Sequence, residues 1–297
     1  MTRQPVGVPV DADVIARALG RHPDYRVLRR MERMERRNLD AKGATLVGCA
    51  IDCETNGLDH SGCRIIELAV QRFVFDELGR IVQTGRPRTW FEDPGVPLSP
   101  TITRLTGLTD RDVAGRSISD GEATCMIASS DIVIAHNAAF DRPFVERRLP
   151  EAAGRPWICS MNDLDWRELG FEGRAQTHLL AQMGWFYEAH RAETDVAALL
   201  HLLDHRLNEG GTVLRKLFLN ASQPTWEIEA VDAPFAAKDI LRERGYRWNA
   251  ARRFWRKEVR NETFDEEVEW AALNVYSGVR SPSFRQVSWV ERYRSEG

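Results

Sequence analysis

Two acidic residues stand one position apart at the end of an apolar stretch, in the segment AIDCETNGL at residues 50–58. The stretch is typical of a buried β-strand, and side chains alternate between faces along a strand, so Asp52 and Glu54 are expected on one face and Cys53 on the other. Two carboxylates ~4 Å apart repel by roughly 4 kcal/mol at an effective dielectric of 20, unless a proton or a cation lies between them. Oxygen ligands of this kind select hard cations such as Mg²⁺ or Mn²⁺. On its own the pair is weak evidence, because unrelated surface acids often have this spacing.

Two further acids strengthen the prediction of a metal site. Asp141 follows the short apolar segment IVIAHN and precedes Pro143, which is tolerated near a helix start. Asp141 is therefore expected in or just before the first turn of a helix, facing inward; the alternative is a helix N-cap. Asp195 falls at the edge of the apolar stripe of ETDVAALLHLLDHRL. An acid in that position is costly unless it is paired or bound to a metal.

His190 precedes Asp195 by five residues. If both residues were helical, their side chains would lie ~140° apart around the axis. His190 is thus expected to reach the same site only from the loop before the helix. A histidine in such a loop can act as a general base near neutral pH. A plain surface histidine is the alternative.

Three segments in this order, IDCETNGL, AHNAAFD and HRAETD, resemble the three motifs of the DnaQ-like 3′–5′ exonucleases, DEDDh subgroup. The family pattern is Asp-x-Glu-Thr-x-Gly, then His-Asn-x-x-Phe-Asp, then His-x₄-Asp. All five defining positions are matched here, by Asp52, Glu54, Asp141, His190 and Asp195. The segment ITRLTGLTD also resembles a linker of the family, and the resemblance covers residues 46–207.

The resemblance implies an RNase H-like fold and two divalent cations, Mg²⁺ or Mn²⁺, held by the four acids. Asp52 would bridge both cations, and Glu54 and Asp195 would hold the one that carries the attacking water. Asp141 would act through the second cation or its waters, and His190 would deprotonate the water.

The resemblance also implies how the substrate is held. Thr55 would present its backbone and hydroxyl to the terminal nucleotide, Leu58 would wedge between the last bases, and His136 and Phe140 would line the same cleft. The product would be a nucleoside 5′-monophosphate. One departure is visible: many relatives have Asp-Thr at the start of the helix after the second motif, where this chain has Cys159–Ser160.

The elements that must position these residues form an α/β pattern. Apolar strands at 46–53, 65–75 and 81–91 precede an alternation of helices and strands, which favours a mixed sheet flanked by helices. Residues 11–40 are predicted to be helical, with Val27, Met31 and Met34 on one face. The predicted divisions are an N-terminal helical extension at 1–43, an exonuclease domain at 44–210, a linker at 211–225 and a small C-terminal α/β module at 226–297.

The C-terminal module contains a second informative stretch. Residues 242–260 include eight Arg or Lys against two Glu, interleaved with aromatic residues. Cations beside exposed aromatics favour binding of single strands. The alternative is that Trp248 and Trp255 form the core of a small domain, and that the acids at 262–269 pair with the arginines.

Composition limits the classes of function. The net charge of −3 argues against general DNA coating, and no apolar run approaches the ~20 residues of a membrane helix. The five cysteines lack a paired CxxC pattern and are interpreted as reduced thiols of a cytoplasmic protein. The leading hypothesis is a 3′–5′ exonuclease acting on single-stranded DNA in proofreading or repair, with a polymerase as a possible partner and no membrane. The alternatives are a 3′–5′ exoribonuclease acting on RNA 3′ ends, and a non-catalytic nucleic-acid or polymerase-binding module.

Overall fold

The computed structural model describes residues 11–36 and 39–294, with three β-sheets and the helices that pack on them. The strands are β1 (Arg29–Arg30), β2 (Thr45–Thr55), β3 (Ile65–Asp76), β4 (Ile81–Thr84), β5 (Arg88–Phe91), β6 (Ile132–Ala135), β7 (Trp157–Cys159), β8 (Trp185–Phe186), β9 (Thr225–Ala230), β10 (Arg247–Asn249), β11 (Phe254–Val259) and β12 (Ser283–Val287). The α-helices are α1 (Ala12–Leu19), α2 (Pro100–Thr106), α3 (Asp110–Val113), α4 (Asp120–Ala128), α5 (Ala138–Arg148), α6 (Gln176–Gln182), α7 (Ala192–Asp204), α8 (Val213–Ser222), α9 (Lys238–Glu243) and α10 (Asn261–Asn274). Two 3-10 helices cover Pro150–Ala152 and Phe235–Ala237.

The main sheet is mixed, as the sequence pattern predicts. Its strand order is β4-β3-β2-β6-β7, and β5 pairs with β3 beyond the end of β4. The pairs of β3 with β2, β4 and β5 are antiparallel, whereas β2–β6 and β6–β7 are parallel. The predicted single strand at 81–91 is two strands, because Gly85 to Pro87 interrupt the ladder.

Alternation along β2 divides the core between the two faces of this sheet. Ala50 faces the cluster formed with α7 and α8, whereas Cys49, Ile51 and Cys53 face the cluster formed with α4 and α5. Both faces are covered, so the middle of β2 is apolar throughout. After Thr45 at its start, the next strongly polar side chains of the strand are those at its C-terminal end, Asp52, Glu54 and Thr55.

The helix predicted over residues 11–40 is wrong beyond α1. Helix α1 ends at Leu19, turns follow up to Asp24, and the chain then runs extended, with β1 pairing in parallel with β8. Met31 and Met34 do pack against the main core, but from an extended segment. Nearby arginines bond to α7, Arg33 to Glu193 and Arg36 to Asp204. These tertiary contacts outweigh the local helical pattern, which was only a weak preference. Residues 1–10 and 37–38 of the predicted extension lie outside the described part of the chain.

The predicted linker at 211–225 is also wrong for most of its length. Thr212 caps helix α8 by accepting a hydrogen bond from the Arg215 amide, and the helix buries Val213, Leu214 and Leu217 in the main core. The polar and glycine residues that suggested a boundary are the turn before this helix and its cap.

The C-terminal residues form a separate antiparallel sheet in the order β10-β11-β9-β12. Helices α9 and α10 cover one face, around Ile228, Ala230 and Tyr246. After β12, residues 288–294, called here the C-terminal segment, return to the main sheet. There the Trp157 amide donates to the Trp289 carbonyl at 3.1 Å, extending the pairing of β7.

The C-terminal segment also surrounds a buried cation of α5. Arg142 is fully buried and donates to the carbonyls of Val290 and Arg292, and its Nε donates to Glu146 at 3.0 Å. Tyr293 donates its hydroxyl to Asp163 at 2.5 Å. The last described residues are therefore part of the packing of the main domain.

Among the described residues, no helix combines the length and the apolar character that crossing a bilayer requires.

Candidate active site

Three carboxylates meet at one end of the main sheet. Asp52 and Glu54 come from the C-terminal end of β2, and Asp195 comes from the first turn of α7. One oxygen from each lies within 4.8 Å of the others. The alternation of β2 places both of its acids toward α7, as the sequence predicts, and these three residues are called here the carboxylate cluster.

Asp141 lies beside this cluster but is buried deeper. It occupies the first turn of α5, where its Oδ1 accepts a hydrogen bond from the Cys53 amide at 3.0 Å. That bond joins α5 to β2 between the two acids of the strand. Among the described residues, the group whose oxygens lie within 4.8 Å of one another does not include Asp141. The structure thus places oxygens of three of the four predicted acids within 4.8 Å of one another and holds the fourth acid against strand β2.

The cluster has an excess of negative charge, which its pKa values reflect. Burial raises the pKa of Asp52 well above its usual range, and the charges of Asp141, Asp195 and Glu54 raise it further. Burial, together with the charges of Asp195 and Glu67, raises the pKa of Glu54 to about 7, against a smaller opposing effect of Arg191.

Burial and neighbouring charge also hold the pKa of Asp141 up, at about 7, although hydrogen bonds at Cys53 favour its charged form. Carboxylates that are held together without enough positive charge form a ligand set that suits a hard divalent cation.

Asp195 is fixed in place by hydrogen bonds to both of its oxygens. The Tyr187 hydroxyl donates to Oδ1 at 3.0 Å, and the amides of His190 and Arg191 donate to Oδ2 at 2.8 and 3.1 Å. His190 is exposed in the loop before α7, as predicted, and has a positive φ of 69°. Asp195 therefore also shapes the loop that carries His190.

Sequence reasoning missed the residues that support the cluster. Glu67 on β3 lies opposite Glu54 and is fully buried. It binds the Arg191 guanidinium at 3.1 Å and accepts from the Ala192 amide at 3.2 Å, so it anchors the start of α7. An acid inside the apolar run IIELAV was a usable signal for Glu67. Tyr187 had no comparable signal, because its role depends on tertiary packing.

Two of the predicted substrate-binding residues lie at the end of β2 and in the loop that follows it. Thr55 ends that strand and is buried, and its hydroxyl donates to the Gly57 carbonyl at 2.6 Å. Leu58 lies in the following loop and is 86% exposed. An apolar side chain so exposed at the rim of the site is free to contact a base, although its wedge role remains a prediction. On α5, Phe140 is half-buried and packs on Phe144.

His136 is held at both ring nitrogens. Nδ1 lies 2.8 Å from the Ser160 hydroxyl, and Nε2 lies 2.9 Å from the Arg174 carbonyl. A carbonyl only accepts, so Nε2 carries the proton and the Ser160 hydroxyl donates to Nδ1. Burial lowers the pKa of His136 to about 4. A neutral His136 is thus available for packing and hydrogen bonding, and not for charge pairing with phosphate.

The departure at Cys159–Ser160 has a structural explanation. No helix begins there: β7 ends at Cys159, and turns follow up to α6. Asp163 accepts from the Cys159 amide at 2.7 Å, and Ser160 contacts His136. Ser160 therefore does not stand at a helix start in this chain, and its hydroxyl fixes the His136 ring.

Comparison with known proteins gives one family match. The family described as "Exonuclease" (RNase_T) matches residues 49–203, just over half of the chain. PolC-type DNA polymerase III of Listeria welshimeri is 38% identical over 99 residues, and that of Streptococcus thermophilus is 35% identical over 113 residues. These matches span 33% and 36% of this chain, but only 6% and 7% of the polymerases.

Solved structures of exonucleases also align. Exonuclease X in complex with 5′ overhanging duplex DNA is 24% identical, with 58% of this chain and 99% of that chain covered and a TM-score of 0.42. The zinc-bound form of the E. coli ExoI–ssDNA complex is 13% identical, with 84% and 66% covered and a TM-score of 0.47.

Proposed function

This chain belongs to the DnaQ-like family of 3′–5′ exonucleases, and we propose that it removes nucleoside 5′-monophosphates from the 3′ end of single-stranded DNA. The observation that carries the proposal is the carboxylate cluster. One oxygen from each of its three side chains lies within 4.8 Å of the other two, and the exposed His190 lies in the adjoining loop. The sequence identity to the PolC-type DNA polymerases favours DNA over RNA. It also suggests a polymerase as a partner.

The ligand set fits two divalent cations, Mg²⁺ or Mn²⁺. Asp52, Glu54 and Asp195 would hold them directly, with Asp141 contributing from behind through the second cation or its waters. When bound, the cations would supply positive charge for the attacking and leaving oxygens of an in-line displacement. The raised pKa values of the acids support this assignment, because the fold concentrates charge there without neutralising it.

The protein's own residues would do the remaining work. His190 would take the proton of the attacking water, since its loop leaves it exposed next to Asp195. Tyr187 and the loop amides would hold Asp195 in one orientation. Thr55, Leu58, His136 and Phe140 would bind the terminal nucleotide, with the neutral His136 as a fixed part of the wall.

The test is a gel assay on 5′-labelled single-stranded DNA and RNA of one sequence, with Mg²⁺, Mn²⁺ or EDTA. Wild type is compared with Asp52→Asn, His190→Ala and the control Glu188→Gln, an exposed acid two residues from His190. A ladder shortening from the 3′ end is expected on DNA, lost with EDTA and Asp52→Asn and reduced at least 100-fold by His190→Ala. Faster loss of RNA would replace the DNA assignment with exoribonuclease activity. Binding without degradation of either would overturn catalysis in favour of a binding module.

A further inference from the structure

A second feature near the active site is a groove of about 730 Å³ between the main domain and the C-terminal sheet. One wall is formed by His60, Ala139 and Pro143, from the loop after β2 and the start of α5. The opposite wall comes from the C-terminal sheet and the C-terminal segment. This second wall contributes six cationic lining residues, and the cavity is called here the basic groove. The six residues are Arg247, Arg256, Lys257, Arg285, Arg292 and Arg294.

The C-terminal wall is mainly the sheet face that α9 and α10 leave uncovered. The helices pack on the side chains of Ile228, Ala230 and Val259. Strand alternation places Arg247, Arg256 and Arg285 on the other face. A sheet that carries its arginines on its helix-free face presents them to whatever enters the groove.

Acids inside and outside the groove neutralise most, but not all, of this charge. Six cations line it against three acids, Glu227, Glu258 and Glu291. Glu227, which is buried, pairs with Arg256 at 2.9 Å and with Arg285 at 3.0 Å. Lys257 pairs with Glu267, which lies outside the lining. Arg292, which is buried, pairs with Glu258 at 3.1 Å and with Asp163 at 3.5 Å.

Two arginines stay available for an anion. Arg247 is exposed on the edge strand β10, and within the described chain it has no acid within ion-pair distance. It lies directly opposite Arg256 in the β10–β11 register, so both side chains belong to the helix-free face of the sheet. Arg294 is similarly accessible, since its contact with Glu146 is loose at 3.6 Å and its side chain is 42% exposed.

The groove lies close to the residues that would hold the terminal nucleotide. His60 is two positions after Leu58, and Ala139 immediately precedes Phe140. Pro143 is one helical turn from Ala139 on the same helix. A strand passing out of the cleft beside Leu58 and Phe140 would therefore meet this wall of the groove.

From these observations we propose that the basic groove binds the phosphate backbone of single-stranded DNA on the 5′ side of the nucleotide being removed. The inference rests on the proposed function for the direction of the strand. It keeps Arg247 and Arg256 of the predicted stretch 242–260 as contacts, adds Arg285 and Arg294 from outside it, and leaves out the other arginines of that stretch. In that stretch Arg244 pairs with Glu266 and Glu267, Arg252 pairs with Glu229, and Arg260 donates to the Asp163 carbonyl.

The predicted aromatic contact also falls elsewhere. Trp248, which is 52% exposed, packs edge-on against Trp255, and both belong to the sheet face opposite the groove. The arginines of the helix-free face, and not the tryptophans, are thus the proposed contacts.

The experiment measures binding of fluorescent dT20 and dT3 to the full-length protein in EDTA, so that no strand is degraded. The variant is Arg247→Ala with Arg294→Ala. The matched control is Arg253→Ala, an exposed arginine in the turn between β10 and β11 that does not line the groove. Loss of two phosphate contacts on a single strand reduces the slope of log Kd against log salt by about 1.4. If the double variant and wild type bind dT20 equally at 1 M salt, the double variant should therefore bind dT20 about 25-fold more weakly than wild type at 0.1 M salt.

The dT3 affinity and the Tm should not change, because three nucleotides occupy the cleft alone and both arginines are on the surface. Equal dT20 affinity in the double variant and wild type would overturn the proposal. An equal loss in Arg253→Ala, or an equal loss for dT3, would overturn it too. The proposed function is tested separately. It fails if wild type with Mg²⁺ leaves the 3′ end intact, and in that case dT20 binding that still depends on Arg247 would leave the groove proposal standing.

Discussion

Glu54→Gln should stabilise the metal-free protein at pH 8, although it removes a residue of the proposed active site. Glutamine has nearly the same shape as glutamate, and the substitution removes one negative charge from a cluster in which negative charges are in excess. Glu54 faces the charges of Asp195, Glu67 and Asp141, with only Arg191 in opposition. Activity with Mg²⁺ should fall sharply in the same variant, so stability and activity should change in opposite directions.

The size of the effect follows from two independent figures. One charge pair 4.8 Å apart, the span of the cluster, repels by roughly 0.9 kcal/mol in water and roughly 3.5 kcal/mol at an effective dielectric of 20. Raising the pKa of Glu54 from 4.5 to about 7 corresponds to a loss of about 3 kcal/mol at pH 8. Because the group is partly exposed, an increase of about 2 kcal/mol in the free energy of unfolding is expected.

The sign depends on pH. A carboxyl whose pKa is higher in the folded state is protonated there first, so the folded state is favoured at low pH. That advantage is lost as the pH rises from about 4.5 through about 7. Wild type and Glu54→Gln should therefore differ by less than about 1 kcal/mol at pH 5 and by the full amount at pH 8.

The assay is urea unfolding in EDTA at pH 5 and pH 8, with Glu188→Gln as the control for loss of an exposed acid. Glu54→Gln should unfold at higher urea than wild type at pH 8 only, and Glu188→Gln should match wild type at both pH values. Adding Mg²⁺ should stabilise wild type more than Glu54→Gln. A variant that is less stable than wild type at pH 8 in EDTA would refute the assignment of excess charge to this cluster.

Three further predictions test the surroundings of the cluster. Tyr187→Phe removes the donor to Asp195, and should weaken Mg²⁺ binding 10- to 100-fold, measured by metal titration of activity, with little change in Tm; an unchanged titration would show that Tyr187 does not orient the ligand. Arg142→Leu removes the buried donors to the C-terminal segment and should lower the free energy of unfolding by about 3 kcal/mol in urea, whereas a neutral result would contradict the packing described. His136 should stay neutral from pH 8 to about pH 5, and an imidazole NMR signal that titrates near pH 6.5 would contradict its lowered pKa.

The site was more predictable than the elements around it because its constraints are local. Asp52 and Glu54 follow from strand alternation, and Asp195 follows from an acid at the edge of an apolar helix stripe. The position of His190 in a loop followed from helical geometry alone. By contrast, the arrangement of Asp141 depends on the Cys53 amide, and a sequence does not show which amide a buried carboxylate will meet.

The wrong predictions share a physical cause. Residues 24–36 have a helical pattern but lie extended, because β8 offers backbone partners and Glu193 and Asp204 offer ion pairs. The glycines at 210–211 resemble a domain boundary but lead into α8. In each case a contact distant in sequence decided the outcome over a local preference.

The return of the C-terminal segment has a consequence for biosynthesis. The guanidinium of Arg142, one residue after the proposed ligand Asp141, finds two of its acceptors in the carbonyls of Val290 and Arg292. During translation these acceptors are made about 150 residues after the cation that they satisfy. Until then the guanidinium of Arg142 has Glu146 as a partner but lacks these two carbonyl acceptors. Completion of the nuclease core is thereby tied to synthesis of nearly the whole chain, so a ribosome that stops early releases a product whose nuclease core is incomplete.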